Sequence, residues 1–264
     1  MAMNVFDAYI FDLDGTVYLG GILLPNAGET IQELRKRGKR TVFLSNNPTH
    51  TRSDYTQRLA KLGLPTEPTD IISSSVVMVD FLKAKFAGQS PRLFVVGEPP
   101  LKQELSEAGF VLTEQANETD IVIASFDRTF VYQKLQIAFD AIRRGARFFA
   151  TNGDKYCPVP GGGEPDAACI IAAIEACTDK KVEAIVGKPS QHMARAVLNI
   201  LQLPPERCLM VGDRLETDVK MGLDAGMSAA LTLTGATTEV MLAQSTIRPH
   251  YVLKNLGDLL EIKN

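Results

Sequence analysis

Short apolar runs alternate with segments of helical periodicity along nearly the whole chain. The runs have the length of buried β-strands, and the segments between them place apolar residues three and four positions apart, as amphipathic helices do. The first strand-like runs cover 5–12 and 40–46, and the first helical segments cover 29–37, 52–62 and 75–86. This alternation is typical of parallel βα units, so we predict an α/β fold.

A second series of strand-like runs is long enough to form a small domain of its own. It comprises 92–98, 120–125 and 147–152. The helical segment 167–177 follows, and the last strand-like runs lie at 183–188, 207–213 and 228–235. The glycines at 161–163 have neither the GxxxxGKS spacing nor a preceding strand, so we expect a flexible loop there rather than a phosphate cradle.

Four of the apolar runs end in a side chain with useful chemistry: Asp12, Ser45, Lys188 and Asp213. In an open parallel sheet, ligands bind outside the carboxyl ends of the strands, and these side chains are therefore expected to converge on one crevice. Polar residues are common after strands, which explains one such ending. Two acids, a hydroxyl and a lysine at four strand ends favour a functional site.

The stretch FDLDGT carries two carboxylates, Asp12 and Asp14, followed by a glycine that permits a tight turn. Side chains alternate faces along a strand, so the two carboxylates point to the same side and can act on one reacting group. A carboxylate can attack phosphorus to form an acyl phosphate, while a second carboxyl group protonates the leaving alcohol and later accepts a proton from water. We assign the first role to Asp12 and the second to Asp14.

The stretch GDRLETD adds Asp213 and Asp218 at the start of a predicted helix. So many carboxylates near Asp12 require a divalent cation, and ligands that are all oxygen favour Mg²⁺ over zinc. Lys188 supplies a fixed positive charge for phosphoryl oxygens, and Ser45 and the Asn46 amide can donate hydrogen bonds to the same oxygens. Each group answers a requirement of phosphoryl transfer.

These stretches resemble a known family. DLDGT (12–16), LSN (44–46), GKP (187–189) and GDRLETD (212–218) look like the four motifs of haloacid dehalogenase superfamily phosphatases, in the same order. SNNPTHTR (45–52), ATNGDKYCP (150–158) and GLDAGMSAALTLTG (222–235) are similar to the NagD-like branch, which includes bacterial sugar-phosphate and 4-nitrophenyl phosphatases.

The resemblance implies a Rossmann-like doubly wound parallel-sheet core with an inserted, smaller α/β cap domain. The long interval between Ser45 and Lys188 places the cap, so we predict a catalytic core of residues 1–80 and 183–264 and a cap of residues 81–182. The implied roles are Asp12 as nucleophile, Asp14 as general acid and base, Ser45, Asn46 and Lys188 as phosphate-binding residues, and Mg²⁺ on Asp12, the Asp14 backbone carbonyl and Asp213, with Asp218 near the metal directly or through water.

The cap segment Asn152 to Lys155 has two interpretations. Asn and Asp side chains commonly stabilise turns, which explains the segment locally. The resemblance favours contact of Asn152 and Asp154 with the leaving group. The implied substrates are small soluble phosphate esters, such as sugar phosphates and nucleoside monophosphates, and a single sequence does not select among them.

Composition and charge limit the classes of partner that we expect. The net charge of -3 gives no reason to expect a nucleic acid or an anionic membrane. The N-terminal residues show no secretory signal and no apolar run has the length of a membrane span, so we predict a cytoplasmic protein.

The four cysteines lack CxxC spacing and are expected to be reduced thiols packed as small hydrophobic residues. An exposed face of the cap could pair two chains in a homodimer, and packing within one chain explains its apolar residues equally.

Two rival functions remain open at this point. A dehalogenase would also use an attacking aspartate, but protonation of a leaving alcohol by Asp14 is a requirement of a phosphatase. A non-enzymatic sensor of phosphorylated ligands would be expected to have lost Asp12, Asp14 or Lys188, and all three are present.

Overall fold

The computed structural model of the chain describes residues 6–159 and 161–262, which alternate between strands and helices as the hydrophobic pattern predicts. The β-strands, numbered along the chain, are β1 (Ala8–Asp12), β2 (Tyr18–Leu19), β3 (Ile22–Leu23), β4 (Arg40–Ser45), β5 (Ile71–Ser73), β6 (Arg92–Val96), β7 (Val111–Leu112), β8 (Ile121–Ala124), β9 (Arg147–Ala150), β10 (Tyr156–Val159), β11 (Gly162–Pro165), β12 (Ala184–Ile185), β13 (Cys208–Gly212), β14 (Ser228–Thr232) and β15 (Tyr251–Leu253). The α-helices are α1 (Ala27–Lys36), α2 (Arg52–Lys61), α3 (Ser74–Lys85), α4 (Pro99–Glu107), α5 (Tyr132–Arg143), α6 (Ala167–Thr178), α7 (Gln191–Leu201), α8 (Lys220–Asp224) and α9 (Glu239–Gln244). The π-helical turn Leu215–Val219 leads directly into α8.

The first of two compact units comprises the described residues of 1–45, 52–72 and 188–264. Its sheet has the strand order β15-β14-β13-β1-β4-β5, and the pairs from β15 to β4 are parallel. β1 is central because its residues before Asp12 are apolar on both faces, and all five residues of the strand are buried. The chain winds outward from β1 through β4 on one side and through β13 on the other. The carboxyl ends of β1 and β13 therefore flank the point where the winding reverses, where α/β proteins bind ligands.

The second unit comprises the described residues of 46–51 and 73–187. Its sheet has the order β12-β9-β8-β6-β7, with all neighbours parallel. Helices α5 and α6 pack on this sheet around Phe94, Phe148 and Ile174. Two parallel sheets with helical connections confirm the predicted α/β class.

Apart from the short segment 46–51, the chain passes between the units after Ile72 and before Lys188, whereas the sequence places these passages at 80/81 and 182/183. Helix α3 accounts for the first difference, because its Phe81 packs edge-on against Phe149 of β9 with the ring centroids 5.1 Å apart. Glu183 accounts for the second, because its backbone N–H donates to the carbonyl of Phe148.

The flexible loop expected at 161–163 is wrong for the last two glycines. Gly162 and Gly163 lie in β11 and pair antiparallel with Val159 and Pro158 of β10. A Cβ on Gly163 would come within 2.8 Å of the Tyr156 ring, so glycine is needed for the two strands to pack as they do.

The four cysteines are free thiols, as predicted. Cys208 is buried in β13, but Cys169 and Cys177 are exposed on α6, so packing as small hydrophobic residues does not hold for these two. Among residues 6–159 and 161–262, no helix is long and apolar enough to cross a membrane.

Candidate active site

Three of the four expected strand ends lie side by side in the first unit. Asp12 ends β1, Ser45 ends β4 and Asp213 follows β13, and these strands are neighbours in the sheet. All three side chains are buried, with Asp213 only 1% exposed. Their common placement follows from parallel pairing, because it brings the carboxyl ends of adjacent strands to one edge.

Lys188 reaches this edge by a different route from the one expected. The apolar pattern of 183–188 predicts a strand of the same sheet, but its strand, β12, pairs with β9 in the second unit. Backbone hydrogen bonds from Val186 to Ala150 and from Gly187 to Thr151 hold the run there. Lys188 is thus the first residue after the chain returns to the first unit, and Ser190 caps helix α7 two residues later.

The Lys188 ammonium group lies between two carboxylates. Its Nζ donates to Asp12 Oδ1 and, at 2.6 Å, to Asp218 Oδ1. Burial alone would lower the pKa of Lys188, but Asp12 and Asp218 outweigh it and raise the pKa above its ordinary value. The lysine therefore remains charged, and a buried ion pair of this kind avoids the large cost of an isolated charge.

The acids of this cluster outnumber the lysine. Carboxylate oxygens of Asp12, Asp213 and Asp218 lie within 4.8 Å of one another. Burial, followed by the charge of Asp218, raises the pKa of Asp213 to about 6. Burial likewise raises the pKa of Asp12 well above its usual range, with Asp218 and Asp213 adding to the effect and Lys188 opposing it. A second positive charge would stabilise the ionised forms of Asp12 and Asp213.

The oxygen atoms available fit a divalent cation. Asp213 Oδ2 accepts the backbone N–H of Ala236 at 2.6 Å, while the buried Oδ1 has no hydrogen-bond partner among the described residues. An unpaired buried carboxylate oxygen is costly and is rarely retained without a ligand. Both oxygens of Asp218 are engaged, one by Lys188 and the other by the N–H of Arg214 at 3.1 Å. The donor set is oxygen throughout, as magnesium prefers.

Two glycine turns close around Asp213. A Cβ on Gly15, where φ is +91°, or on Gly235 would overlap the Asp213 carboxylate. Thr234 Oγ1 donates to the carbonyl of Gly15 at 2.7 Å and joins the two turns. Sequence reasoning missed the part played by residues 234–236; the TG pair that follows β14 was the available signal.

Asp14 is not a member of the cluster formed by Asp12, Asp213 and Asp218. Burial raises its pKa, against the opposing charges of Arg58, Lys188 and Arg214. A carboxyl group with a raised pKa retains its proton more readily, which is what a general acid needs. Sequence reasoning missed Arg58, on α2, because nothing in its spacing marks it.

Ser45 shares a hydrogen bond with a second buried hydroxyl group. Ser45 Oγ and the Tyr55 hydroxyl are 2.9 Å apart, and Tyr55 is only 1% exposed. Sequence reasoning missed Tyr55 as well.

The remaining expected residues, Asn46, Asn152 and Asp154, lie in the second unit and bind one another. Asp154 Oδ2 accepts from Asn46 Nδ2 at 2.8 Å and from Asn152 Nδ2 at 3.0 Å. Asn152 Nδ2 also donates to Asp166 Oδ1 at 3.0 Å, and Asp166 caps α6. Asn152 is fully buried, so here its amide holds the turn together. Contact of Asn152 and Asp154 with substrate stays a prediction.

Comparison with known families gives two matches that together span most of the chain. A model described as "Haloacid dehalogenase-like hydrolase" matches residues 9–111, and a second HAD-hydrolase-like model matches residues 185–259. The first match contains the Asp12, Asp14 and Ser45 motifs, and the second contains Lys188, Asp213 and Asp218.

Individual relatives match over nearly their whole length. The sugar-phosphatase AraL of Bacillus subtilis is 38% identical over 96% of this chain and 92% of that protein. A 4-nitrophenylphosphatase structure from Thermotoga maritima superposes with a TM-score of 0.93 at 36% identity, covering 98% of both chains. NagD from Escherichia coli K-12 superposes with a TM-score of 0.86 at 30% identity, covering 96% of this chain and 98% of that one.

Proposed function

Since the chain belongs to the haloacid dehalogenase-like hydrolases and is a phosphatase of the NagD-like branch, we propose that it hydrolyses small soluble phosphomonoesters with Mg²⁺, through an aspartyl-phosphate on Asp12. The observation that carries this proposal is the buried cluster of Asp12, Asp213 and Asp218 around Lys188, in which one oxygen of Asp213 has no partner among the described residues.

In the first half-reaction a carboxylate oxygen of Asp12 attacks phosphorus. The bond from phosphorus to the ester oxygen breaks, and Asp14 transfers its proton to that oxygen, so the alcohol leaves neutral. The raised pKa of Asp14 supports this role, because it favours the protonated form before attack.

In the second half-reaction Asp14, now ionised, removes a proton from water. The resulting hydroxide attacks phosphorus, the bond from phosphorus to Asp12 breaks, and inorganic phosphate leaves. Asp12 is restored as a carboxylate and Asp14 as an acid, which closes the cycle.

The positively charged and hydrogen-bonding groups stabilise the transferred phosphoryl group. Lys188 supplies a buried positive charge directly beside Asp12, and the Ser45 hydroxyl and the Asn46 amide donate to phosphoryl oxygens. Fixed donors of this kind, aimed at developing negative charge, contribute a large part of catalysis in phosphoryl transfer.

Mg²⁺ would be held by Asp12, Asp213 and the Asp14 backbone carbonyl. Bound there, it would neutralise negative charge on the phosphoryl oxygens and the carboxylates. The unpartnered Oδ1 of Asp213 supports direct coordination. The engaged oxygens of Asp218 support a contact through water instead.

The substrate class rests on the relatives. Those matched include a sugar-phosphatase and, at 33% identity, a dihydroxyacetone phosphatase of Corynebacterium glutamicum. We propose that the second unit is a cap that selects the leaving group. In this proposal Asp154 contacts the substrate, and Asn152 orients the Asp154 carboxylate through its hydrogen bond. Pairing of two chains through that unit remains a prediction, to be tested by measuring the oligomeric state.

Phosphate release from a panel of sugar phosphates, nucleoside monophosphates and 4-nitrophenyl phosphate tests the proposal. We expect release with Mg²⁺, and none with excess chelator. Trapping of an acid-stable, base-labile phosphorylated chain in wild type but not in Asp12→Asn would support the covalent intermediate. Turnover that survives exhaustive chelation would contradict the role of the metal, and the ranking of esters would define the leaving-group pocket.

A further inference from the structure

The hydrogen bond between Ser45 and Tyr55 joins the edge of the sheet to helix α2. Tyr55 belongs to the main hydrophobic cluster of the first unit, together with Leu59 one helical turn later, so packing fixes its ring. Only its hydroxyl group is polar, and that group lies 2.9 Å from Ser45 Oγ. Since both residues are buried, neither hydroxyl can exchange this partner for bulk water without rearrangement.

The direction of the hydrogen bond is decided by the number of protons. A serine hydroxyl has one proton, so Ser45 can donate to a phosphoryl oxygen only if it accepts from Tyr55. Tyr55 can supply that proton because burial first, and then the neighbouring Tyr18 and Asp14, raise the pKa of its phenol well above the usual value. The phenol therefore stays protonated near neutral pH.

We propose that Tyr55 is a positioning residue for the phosphoryl-binding Ser45, fixing the rotation of its hydroxyl so that the serine proton points toward the phosphoryl group. This inference rests on the proposed function. A donor that is already aligned needs no reorganisation in the transition state, and two hydrogen bonds in series polarise one another. Without the phenol, the Ser45 hydroxyl loses the donor 2.9 Å away, and that hydrogen bond no longer orients the serine proton toward the phosphoryl group.

The substitution Tyr55→Phe removes the phenolic oxygen and keeps the packed ring. We expect kcat/KM for 4-nitrophenyl phosphate with Mg²⁺ to fall by about tenfold, the loss expected for one aligned hydrogen bond. The inhibition constant for inorganic phosphate should rise, because the same hydroxyl holds the product. Tyr9→Phe is the matched control, because Tyr9 belongs to the same cluster but packs between Phe6 and Phe11. It should retain wild-type kcat/KM.

A double-mutant cycle with Ser45→Ala separates positioning from a general structural role. If Tyr55 acts through the serine hydroxyl, Y55F should cost nothing further once that hydroxyl has been removed. A packing defect would reduce activity by the same factor in both backgrounds. Melting temperatures measured for all variants establish that each is folded at the assay temperature. Tyr55→Met, which keeps an apolar side chain without a hydroxyl group, repeats the cycle should the phenylalanine variant fold poorly.

The outcomes distinguish this inference from the proposed function. Wild-type kcat/KM in Y55F, or an equal loss from Y55F in the wild-type and Ser45→Ala backgrounds, would overturn the positioning role and leave the phosphatase assignment intact. Wild-type turnover in Ser45→Ala would remove Ser45 from the phosphate site, and the inference would fail with that assignment.

Discussion

In both units, acidic residues lie at or just after the carboxyl ends of strands, but their pKa values shift in opposite directions. In the second unit, Glu98 follows β6 and Asp127 follows β8, as Asp12 and Asp213 end or follow strands in the first. Glu98 receives two hydrogen bonds from the Arg128 guanidinium, at 2.7 and 2.8 Å, and Asp127 Oδ2 lies 2.6 Å from Lys134 Nζ. Each of these two acids is thus paired directly with a positively charged side chain.

The effect on protonation follows this difference. Hydrogen bonds from Arg128 lower the pKa of Glu98, and those from Lys134 and Thr129 lower the pKa of Asp127 despite its burial. In the first unit, Lys188 pairs with two of the three clustered acids, Asp12 and Asp218, and the pKa values of Asp12 and Asp213 are raised. The position of an acid at a strand end therefore does not by itself indicate a functional site; an excess of buried negative charge marks a candidate.

The largest expected effect comes from Asp12→Asn, in the cluster of Asp12, Asp213 and Asp218. It should reduce phosphate release by more than about a thousandfold, because an amide cannot form the acyl phosphate. The fold should be retained, since Lys188 keeps Asp218 as a partner and one repulsive charge is lost. Phosphate release and thermal melting measure the two effects, and near wild-type turnover would overturn the assignment of the nucleophile.

The same chemical change in the second unit should have the opposite profile. Asp127→Asn breaks a buried ion pair and should lower the free energy of unfolding by about 2–4 kcal/mol. Turnover per folded molecule should be unchanged, because Asp127 serves the β8–α5 loop through Lys134 and Thr129. Urea titration and kcat measured well below the melting transition test this. A large loss of kcat in a stable variant would mean that its ion pair does more than hold the fold.

Metal binding should depend on pH through Asp213. With a pKa of about 6, this carboxyl group is mostly ionised near pH 7 and mostly protonated near pH 5. Because protons compete with the metal, we expect the Mg²⁺ affinity to fall by about tenfold between these values. Titration of Mg²⁺-induced stabilisation at the two pH values measures it, and Asp213→Asn should weaken binding and remove the part of this dependence that comes from Asp213.

The sign of the accompanying change in stability follows from the raised pKa. Without metal, the folded state holds the Asp213 proton more tightly than the unfolded chain, whose pKa is near 3.8. The favourable contribution is therefore present below about pH 4 and is lost as the pH rises through about 6. The test is the difference in free energy of unfolding between wild type and Asp213→Asn, measured in chelator as the pH rises from about 4 to about 6. An increase in this difference would contradict the assignment.

The smallest expected effect concerns an exposed pair in the first unit. Lys220 and Asp224 form an i,i+4 ion pair at 2.7 Å on α8, with side chains about half exposed. Asp224→Asn should change the free energy of unfolding by less than about 0.5 kcal/mol and leave turnover unchanged. It is the exposed control for Asp127→Asn, and a comparable loss in both would mean that burial does not decide the value of these pairs.

Local pattern predicts the strands and helices well because each is encoded by its own side chains. The five residues of β1 and the helix from Ala27 to Lys36 follow directly from apolar spacing and from Gly38, whose φ of +74° follows the helix. The assignment of β12 to a sheet could not be predicted. A strand of two residues, Ala184 and Ile185, carries no pattern that selects one parallel partner over another.

The residues of the candidate site also fall into two groups, those that the local sequence pattern predicts and those that it does not. Asp12, Asp213, Asp218 and Lys188 could be proposed because charged residues at the ends of apolar runs are conspicuous. Tyr55 could not, because a tyrosine in an amphipathic helix is normally explained by packing, and only the 2.9 Å contact distinguishes its hydroxyl group. Its function depends on a contact between α2 and the end of β4, which the helix alone does not specify.

The central place of β1 also has a consequence for synthesis on the ribosome. Ala8 pairs with Arg40 on one side and with Cys208 on the other, so one edge of β1 stays unpaired until residues 73–187 of the second unit have been made. Contacts between residues so distant along the chain form late. Until they form, the unpaired apolar edge of β1 can pair with strands of other chains and aggregate. Asp213 and Asp218 emerge after the strand that closes this edge. The cluster of Asp12, Asp213 and Asp218 can therefore be completed only after β13 has been synthesised and can pair with β1.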